Sequence, residues 1–309
     1  MEKIAIIGAG LIGRAWAVVF ARAGMSVALW DRDEAAPGAA LDFMAARLPE
    51  LAEAGLLADP PGAVIARVSI AASLEEALDG AAHVQENGPE RLEAKRALFA
   101  ELDRLAPASV VLASSTSGIP ASAFTERLRG RGRCLVAHPV NPPYLIPLVE
   151  LCPAPWTAED TLARTRALMT RAGQVPVTVH REVAGFVLNR LQIALVAEAF
   201  RLVADGVMTP ADVDATVKEG LGLRWSFMGP FETIDLNAPG GLADYCARYG
   251  ELYRTVQRDM TPCDLTPELV DDIHATRREE LALADQPARQ VWRDQRLMAL
   301  LAHKAILPR

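Results

Sequence analysis

The feature that most constrains this chain is a glycine-rich turn between an apolar run and a helical segment. Residues 3–7 (Lys-Ile-Ala-Ile-Ile) are typical of a buried parallel strand, and Gly8-Ala9-Gly10-Leu11-Ile12-Gly13 follows directly. The helical segment ends near Gly24, and residues 27–31 then form a second apolar run. This order predicts a strand–helix–strand unit of the kind that opens a doubly wound sheet.

Each glycine of the turn has its own physical role. Gly8 allows the tight turn, Gly10 lets the backbone approach a pyrophosphate, and Gly13 lets the helix pack closely on the strand. The turn opens a helix, whose N-terminus supplies unpaired N–H groups to phosphate oxygens, and Leu11 and Ile12 within the turn are included among the predicted cofactor contacts. The segment therefore predicts a dinucleotide-binding site.

The acid at the end of the second strand indicates which dinucleotide binds. Asp31 lies 18 residues after the last glycine of the turn. Its carboxylate would accept hydrogen bonds from the adenosine ribose hydroxyls and repel a 2′-phosphate, which favours NAD over NADP. The neighbouring Arg32 offers the alternative, because an arginine in this place can bind a phosphate.

Strand and helix patterns alternate up to about residue 179 and then stop. Further strands are predicted near residues 68–70, 82–85, 109–113, 133–138 and 174–179, with helices between them. From Gly185 onward only helical periodicity is found. We therefore predict an α/β N-terminal domain over residues 1–182, Rossmann-type with a mostly parallel sheet, and an all-α domain over residues 183–309. The aromatic residues predicted to lie in the core of the second domain are Trp225, Phe227 and Phe231.

Composition excludes several classes of function. The chain has 39 acidic against 32 basic residues and a net charge of −7, which disfavours partners such as nucleic acid or an anionic membrane. The one basic run, between Arg127 and Arg133, is interpreted as a solvated loop before a strand. The four cysteines have no metal-ligand spacing, so we expect free thiols, no metal site and a cytoplasmic, reducing environment. No apolar run reaches the roughly 18 residues of a membrane helix.

A histidine at the end of a predicted strand is the strongest catalytic candidate. His138 begins the run His-Pro-Val-Asn-Pro, at the sheet edge where doubly wound folds bind ligands. Histidine accepts protons near neutral pH, and a carboxylate raises its basicity and fixes its tautomer. Glu150, twelve residues later, is the candidate carboxylate. Either residue taken alone would more often be structural.

Together these motifs resemble the L-3-hydroxyacyl-CoA dehydrogenase family over nearly the whole chain. The matching runs, in chain order, are GAGLIG with Asp31, Pro89-Glu90-Arg91-Leu92 with Lys95, Ser115-Thr116-Ser117, His138-Pro-Val-Asn141-Pro, Glu150 and Gly185-Phe-Val-Leu-Asn189-Arg190. Within the family, AHPVNPPYLIPLVEL, EVAGFVLNRLQ, EGLGLRW and Val291-Trp292-Arg293-Asp294 are most similar to the lambda-crystallin and L-gulonate 3-dehydrogenase branch.

The resemblance implies a catalytic role for each matching residue. His138 would take the hydroxyl proton while the C3 hydride goes to the nicotinamide, and Glu150 would orient the histidine. Ser117, 21 residues before the histidine, would hydrogen-bond the substrate oxygen. Asn189 would hold the substrate and the nicotinamide in place.

The resemblance also implies cofactor, substrate and subunit contacts. Glu90 and Lys95 would lie along the cofactor. Residues 220–225 look like a loop that faces the active-site cleft, and Arg224 in this loop would pair with a substrate carboxylate. A structural ion pair is the alternative for this arginine. The family further implies a homodimer formed through the helical domain.

The expected activity is NAD-dependent oxidation of the C3 hydroxyl of a small polar 3-hydroxy acid resembling L-gulonate. Acyl-CoA members of the family usually have His-Phe-Phe-Asn-Pro, whereas Pro139-Val140 stand at the middle positions here, which counts against a thioester substrate. Two alternatives remain open. One is an L-3-hydroxyacyl-CoA or carnitine-type dehydrogenase with the same catalytic residues. The other is a structural, crystallin-like protein that binds NAD without turnover.

Overall fold

Eight strands form one sheet in the computed structural model, which describes residues 2–306. The strands are β1 (Lys3–Ile7), β2 (Ser26–Trp30), β3 (Val68–Ile70), β4 (Ala81–Glu86), β5 (Val111–Ser114), β6 (Cys134–Pro139), β7 (Leu148–Pro153) and β8 (Val175–Thr178). Their spatial order is β3-β2-β1-β4-β5-β6-β7-β8. All neighbours are parallel except β6 and β7, which are antiparallel. The predicted doubly wound, mostly parallel sheet is thus confirmed, and β7 is a strand that the sequence analysis did not assign.

Helices cover both faces of this sheet. They are α1 (Leu11–Arg22), α2 (Ala36–Glu53), α3 (Pro61–Ile65), α4 (Leu74–Leu78), α5 (Leu92–Leu105), α6 (Ala121–Thr125) and α7 (Glu159–Arg171). Along β1, Ile4 and Ile6 belong to one buried cluster, whereas Ala5 and Ile7 belong to the cluster on the opposite face. Because both faces of the sheet are covered, the parallel strands are continuous apolar runs. Such runs can be recognised in the sequence, so these strands could be predicted.

The rest of the described chain is helical. Its helices are α8 (Leu188–Ala204), α9 (Pro210–Ala215), α10 (Gly222–Trp225), α11 (Pro230–Leu236), α12 (Gly241–Asp259), α13 (Pro267–Glu280) and α14 (Gln286–Ile306), with a π-helix at Thr216–Leu221. Ser73 and Thr209 cap α4 and α9 by accepting hydrogen bonds from the N–H groups of Glu76 and Asp212, at 3.1 and 3.2 Å. Within the described residues, every helix is too short or too polar to cross a membrane.

Two compact units divide the chain differently from the predicted boundary at 182/183. Leu191–Arg289 forms one unit, and the described residues before and after it form the other. The segment 290–306 therefore returns to the sheet, where Met298 joins the same buried cluster as Tyr144 and Leu145. Periodicity alone did not reveal this return, because a helix that packs on a sheet has the same apolar spacing as one in a helical unit.

Two predictions for the second unit are wrong. Residues 220–225 form the end of the π-helix and α10 rather than a loop, because glycines at 220 and 222 are tolerated within a run of helix-forming residues. The aromatic residues predicted as core are exposed, with Phe231 the most exposed at 75%.

The packing of α1 on its turn generates a stability prediction. A Cβ added at Gly13 would lie 1.8 Å from the carbonyl oxygen of Gly8, whereas a Cβ at Gly38 in α2 would meet nothing within 4 Å. Gly13→Ala should therefore lower the free energy of unfolding by about 1–3 kcal/mol or more, since backbone must move. Gly38→Ala should raise it by about 0.4–1 kcal/mol. Urea denaturation measures both, and equal shifts in the two variants would contradict the close packing.

Candidate active site

The candidate site begins where the order of the strands reverses. β1 and β4 are neighbours at this point, and the chain leaves them in opposite directions, which opens a crevice at their carboxyl ends. The glycine-rich turn follows β1, and Gly8 in this turn has a φ of +95°. A Cβ at Gly8 would lie 2.9 Å from the carbonyl group of Asn87, which follows β4. Only glycine fits this close approach, and the two segments together form the floor of the crevice.

The Gly8 turn and α1 have the features that a diphosphate requires. Gly10 is the N-cap of α1, is exposed and offers no side chain to the N–H groups of the first turn, which includes Leu11 and Ile12. These N–H groups carry the positive end of the helix dipole. The added Cβ at Gly10 would meet nothing within 4 Å, so the space above the backbone is open for a ligand. The NAD cofactor therefore fits this turn.

Asp31 links the turn to the end of β2. Its Oδ2 accepts a hydrogen bond from the N–H of Ala9 at 2.7 Å, and its Oδ1 accepts one from the N–H of Asp33 at 3.0 Å. A carboxylate has about four acceptor positions, so both oxygens retain room for ribose hydroxyls. The guanidinium of the neighbouring Arg32 forms an ion pair with Glu101 at 3.5 Å, so part of its positive charge is already paired and less available to a phosphate. These contacts favour an unphosphorylated ribose.

The antiparallel pairing of β6 and β7 places the catalytic candidates side by side. His138 on β6 lies directly opposite Glu150 on β7 in the register. The Nδ1 of His138 is 2.9 Å from the Oε2 of Glu150, and both side chains are buried. With the Nδ1 proton held by the carboxylate, Nε2 is the ring nitrogen that can accept a proton.

The other oxygen of Glu150 binds the start of α8. Oε1 accepts hydrogen bonds from the N–H groups of Val187 at 2.8 Å and Leu188 at 2.9 Å. Burial by itself raises the pKa of Glu150, but the hydrogen bonds from His138, Leu188 and Val187 outweigh it and hold this pKa below its usual value. Glu150 is therefore ionised at neutral pH.

Phe186 turns the chain so that these N–H groups meet the carboxylate. It is a non-glycine residue with a positive φ, +51°, and it follows Gly185, whose φ is +72°. Such a conformation is costly for a bulky residue and persists only where the surroundings enforce it. The ring of Phe186 is buried and lies 5.5 Å from the ring of His138, centroid to centroid. The strained turn is thus packed against the candidate base.

Ser117 and Asn189 also come together. The Nδ2 of Asn189, in the first turn of α8, donates a hydrogen bond to the carbonyl oxygen of Ser117 at 2.7 Å. The N–H of Ser117 donates to the Oε1 of Glu90 at 3.1 Å. Ser117 follows β5 and is exposed, so its hydroxyl remains available to a ligand.

Two predicted residues lie in other surroundings. Lys95 is buried in α5, and its ammonium contacts Glu86, an acid that the sequence analysis did not single out. Arg224 lies in α10, in the other compact unit, where it is exposed and forms no ion pair with any described residue. The contacts within residues 2–190 therefore join His138 with Glu150, Ser117 with Asn189, and Lys95 with Glu90, which accepts a hydrogen bond from the N–H of Ser117. The roles of these residues and of Arg224 stay predictions.

Comparisons with known proteins point to one family for both parts of the chain. Residues 3–183 match the model described as 3-hydroxyacyl-CoA dehydrogenase, NAD binding domain. Residues 185–285 match the model described as 3-hydroxyacyl-CoA dehydrogenase, C-terminal domain. The two matches together span nearly the whole chain.

Individual relatives agree with the family models. A lambda-crystallin homolog of Bos taurus is 45% identical, over 99% of this chain and 96% of that protein. An L-carnitine dehydrogenase of Streptomyces griseus is 42% identical, over 81% of this chain and 74% of that protein. Among solved structures, the 5-formyl-3-hydroxy-2-methylpyridine 4-carboxylic acid 5-dehydrogenase, described as an NAD+ dependent dismutase, matches with a TM-score of 0.84 and 29% identity over 97% of each chain.

The hydrogen bond between Glu150 and His138 predicts the effect of Glu150→Gln. A glutamine would present either N–H or carbonyl to Nδ1, and a donated N–H would move the imidazole proton to Nε2. With His138 as the candidate base, the rate of proton abstraction should then fall by about 10²–10⁴-fold, while circular dichroism stays unchanged. Glu93→Gln, at an exposed acid of α5, is the control and should retain the wild-type rate.

The lowered pKa of Glu150 also sets a pH dependence of stability. Ionised Glu150 stabilises the fold at pH values above its ordinary pKa of 4.5, and this contribution is lost as the pH falls through the lower folded-state value. The difference in unfolding free energy between wild type and Glu150→Gln should therefore shrink in acid. A difference that is independent of pH would contradict the assignment of an ionised carboxylate.

Proposed function

The chain belongs to the 3-hydroxyacyl-CoA dehydrogenase family, and from this premise we propose that it oxidises the C3 hydroxyl of a small, polar 3-hydroxy acid resembling L-gulonate. It is an NAD-dependent oxidoreductase. The observation that carries the proposal is the buried His138–Glu150 pair at the carboxyl ends of the strands, with Nε2 of His138 free to accept a proton.

The geometry of the pair supports a role as general base. His138 accepts the hydroxyl proton at Nε2, and the ionised Glu150 stabilises the imidazolium that forms. Bound NAD supplies the acceptor for the C3 hydride. Ser117 donates a hydrogen bond to the substrate oxygen, and Asn189, held against the Ser117 carbonyl, orients the reacting carbon. The alcohol thus loses a hydride and a proton, and a keto acid is formed.

A free carboxylate on the substrate is favoured over a CoA thioester. The L-carnitine dehydrogenase and the pyridine carboxylic acid dehydrogenase named above both act on compounds that carry a free carboxylate. Arg224 offers an exposed guanidinium without an ion-pair partner among the described residues, and it follows a π-helix, a distortion frequent at functional sites. We assign to Arg224 the binding of the substrate carboxylate. The match to L-carnitine dehydrogenase makes a carnitine-type acid the second candidate.

The activity itself is tested by following NADH formation with a panel of hydroxy acids and a panel of CoA thioesters. We expect turnover of a free 3-hydroxy acid, and His138→Gln should lower its kcat by about 10²–10⁴-fold because the general base is lost. Preference for a thioester would favour the acyl-CoA alternative. Absence of turnover with every substrate, despite NADH binding, would favour a structural role.

Arg224→Met tests the proposed carboxylate contact. The variant should raise KM for the hydroxy acid by tenfold or more, because a hydrogen bond to a charged group contributes about 1.5–3 kcal/mol. NADH binding, measured by fluorescence, should stay unchanged. Arg129→Met, at another exposed arginine, is the control. An unchanged KM for every acid that is turned over would argue against this contact.

We place the reaction in the cytoplasm, where thiols stay reduced. The four cysteines are free, and Cys134 and Cys152 are buried. Burial raises the pKa of each of these two thiols to about 12, so both are protonated at neutral pH. Thiols in this state do not readily form disulfides.

A homodimer through the helical unit is part of the proposal. Along α12, Tyr249, Leu252, Tyr253 and Val256 lie at the spacing of one helix face, and each is between 42% and 59% exposed. An apolar stripe of this kind normally packs against another surface. A second copy of the chain could cover it by two-fold symmetry, the commonest closed arrangement.

Leu252→Glu tests this dimer. Wild type should sediment as a dimer at micromolar concentration, and the variant should shift toward monomer because a carboxylate would be buried in the apolar contact. Ile70→Glu, at an exposed apolar residue of β3, is the matched control and should remain dimeric. A monomeric wild type would remove the proposal.

A further inference from the structure

One buried acid at the candidate site has no part in the mechanism above. Glu86 is the last residue of β4, and its side chain is fully buried. Oε1 accepts a hydrogen bond from the N–H of Gly88 at 2.6 Å, and Oε2 accepts one from the hydroxyl of Ser114 at 2.5 Å. The ammonium of Lys95 lies 3.1 and 3.0 Å from the two oxygens. This carboxylate therefore joins the ends of β4 and β5 to the first turn of α5.

The same ammonium faces a second acid. The Nζ of Lys95 lies 3.7 Å from the Oε2 of Glu90. The Oε1 of Glu90 accepts hydrogen bonds from the hydroxyl of Thr116 at 2.6 Å and from the N–H groups of Ser117 at 3.1 Å and Gly118 at 3.2 Å. Glu90 thus holds the loop that carries Ser117, and Lys95 lies between the two acids.

We propose that Glu86 is a positioning residue, which fixes the Lys95 ammonium and, through Lys95 and Glu90, holds the backbone of Ser117 in the geometry that meets the substrate hydroxyl. The catalytic part of this inference rests on the proposed function of Ser117. Glu86 itself is fully buried, so we assign it no direct contact with the substrate.

Electrostatics explains why the effect passes through Lys95. A buried ammonium requires an anion, and Glu86 provides one with both oxygens. If Glu86 loses its charge, Glu90 is, among the described residues, the remaining carboxylate within 4 Å of the Lys95 ammonium. The attraction would then draw the Glu90 carboxylate toward the ammonium and away from the three donors of the Ser117 loop. The loop would lose its fixed geometry although the fold remains.

A second buried ion pair on the same helix provides a matched control. Asp103, near the other end of α5, binds Arg133 at 2.9 Å, and both side chains are about one-tenth exposed. Among the described residues, this pair forms hydrogen bonds with the segment 106–107 and the Gly130 turn and none with the Ser117 loop. Loss of its charge should destabilise the protein without changing the candidate site.

The first measurement is amide hydrogen exchange of the protein without cofactor, in wild type, Glu86→Gln and Asp103→Asn. In Glu86→Gln, exchange at Ser117 and Gly118 should rise at least tenfold, because their acceptor has moved. In Asp103→Asn, exchange at these two amides should stay within twofold of wild type. Unchanged exchange in Glu86→Gln would overturn the proposal, whether or not the protein is a dehydrogenase.

The second measurement is turnover of the best hydroxy acid. Glu86→Gln should lower kcat at least tenfold. Asp103→Asn should retain kcat within twofold of wild type, even if its melting temperature falls as much as that of Glu86→Gln. The double variant Glu86→Gln/Lys95→Met leaves neither charge buried alone and removes the ammonium that would attract Glu90, so exchange at Ser117 and Gly118 should return to within twofold of wild type. This variant also covers the case in which Glu86→Gln does not fold. Wild-type kcat in a folded Glu86→Gln variant, or raised exchange at Ser117 and Gly118 in a folded double variant, would overturn the proposal. If the wild type turns over no substrate but exchange is raised in Glu86→Gln, the proposed dehydrogenase activity is rejected and the positioning of the Ser117 loop by Glu86 is retained.

Discussion

The carboxylate of Glu150 connects the three parts of the chain on which the candidate site depends. One oxygen binds His138 on the neighbouring antiparallel strand, and the other binds the N–H groups of Val187 and Leu188 at the start of α8. The same carboxylate therefore selects the tautomer of the candidate base and caps a helix whose first turn carries Asn189. The network around Glu86 uses the same physics, since there too a buried carboxylate accepts hydrogen bonds from several donors, on the loop after β4, on α5 and on β5.

Much of this arrangement could be predicted from the sequence. The parallel strands were readable because they are buried on both faces, and the glycine turn with Asp31 follows from what a diphosphate and a ribose require. The pairing of His138 with Glu150 is predicted from the chemistry of the two residues and from the family resemblance. The strand pairing that brings them together is not predicted. That strand pairing depends on β7. The sequence of β7 is a short apolar run after a proline-rich segment, and this pattern alone did not predict a strand. An antiparallel strand at this place makes the two residues direct neighbours.

Other features could not be predicted, for physical reasons. A positive φ at Phe186 contradicts the local preference of a bulky residue and is imposed by its surroundings, so no local rule indicates it. The burial of Glu86 depends on Lys95 and Ser114, which lie 9 and 28 residues further along the chain, and an acid at a strand end looks exposed when read alone. Phe231 looks like a core residue because periodicity marks an apolar face but does not tell whether that face packs within the chain.

The return of α14 to the sheet has a consequence for synthesis of the chain. Tyr144 donates a hydrogen bond to the Oδ2 of Asp294 at 3.2 Å, across 150 residues, and Met298 fills the same buried cluster. A nascent chain that has reached residue 289 has made every strand of the sheet but only the first four residues of α14, the helix that covers this patch. Apolar surface around Tyr144 and Leu145 is then open to chaperones or to other nascent chains. The nucleotide-binding unit, although it begins first, is completed last, after the ribosome has made the whole helical unit between its two segments.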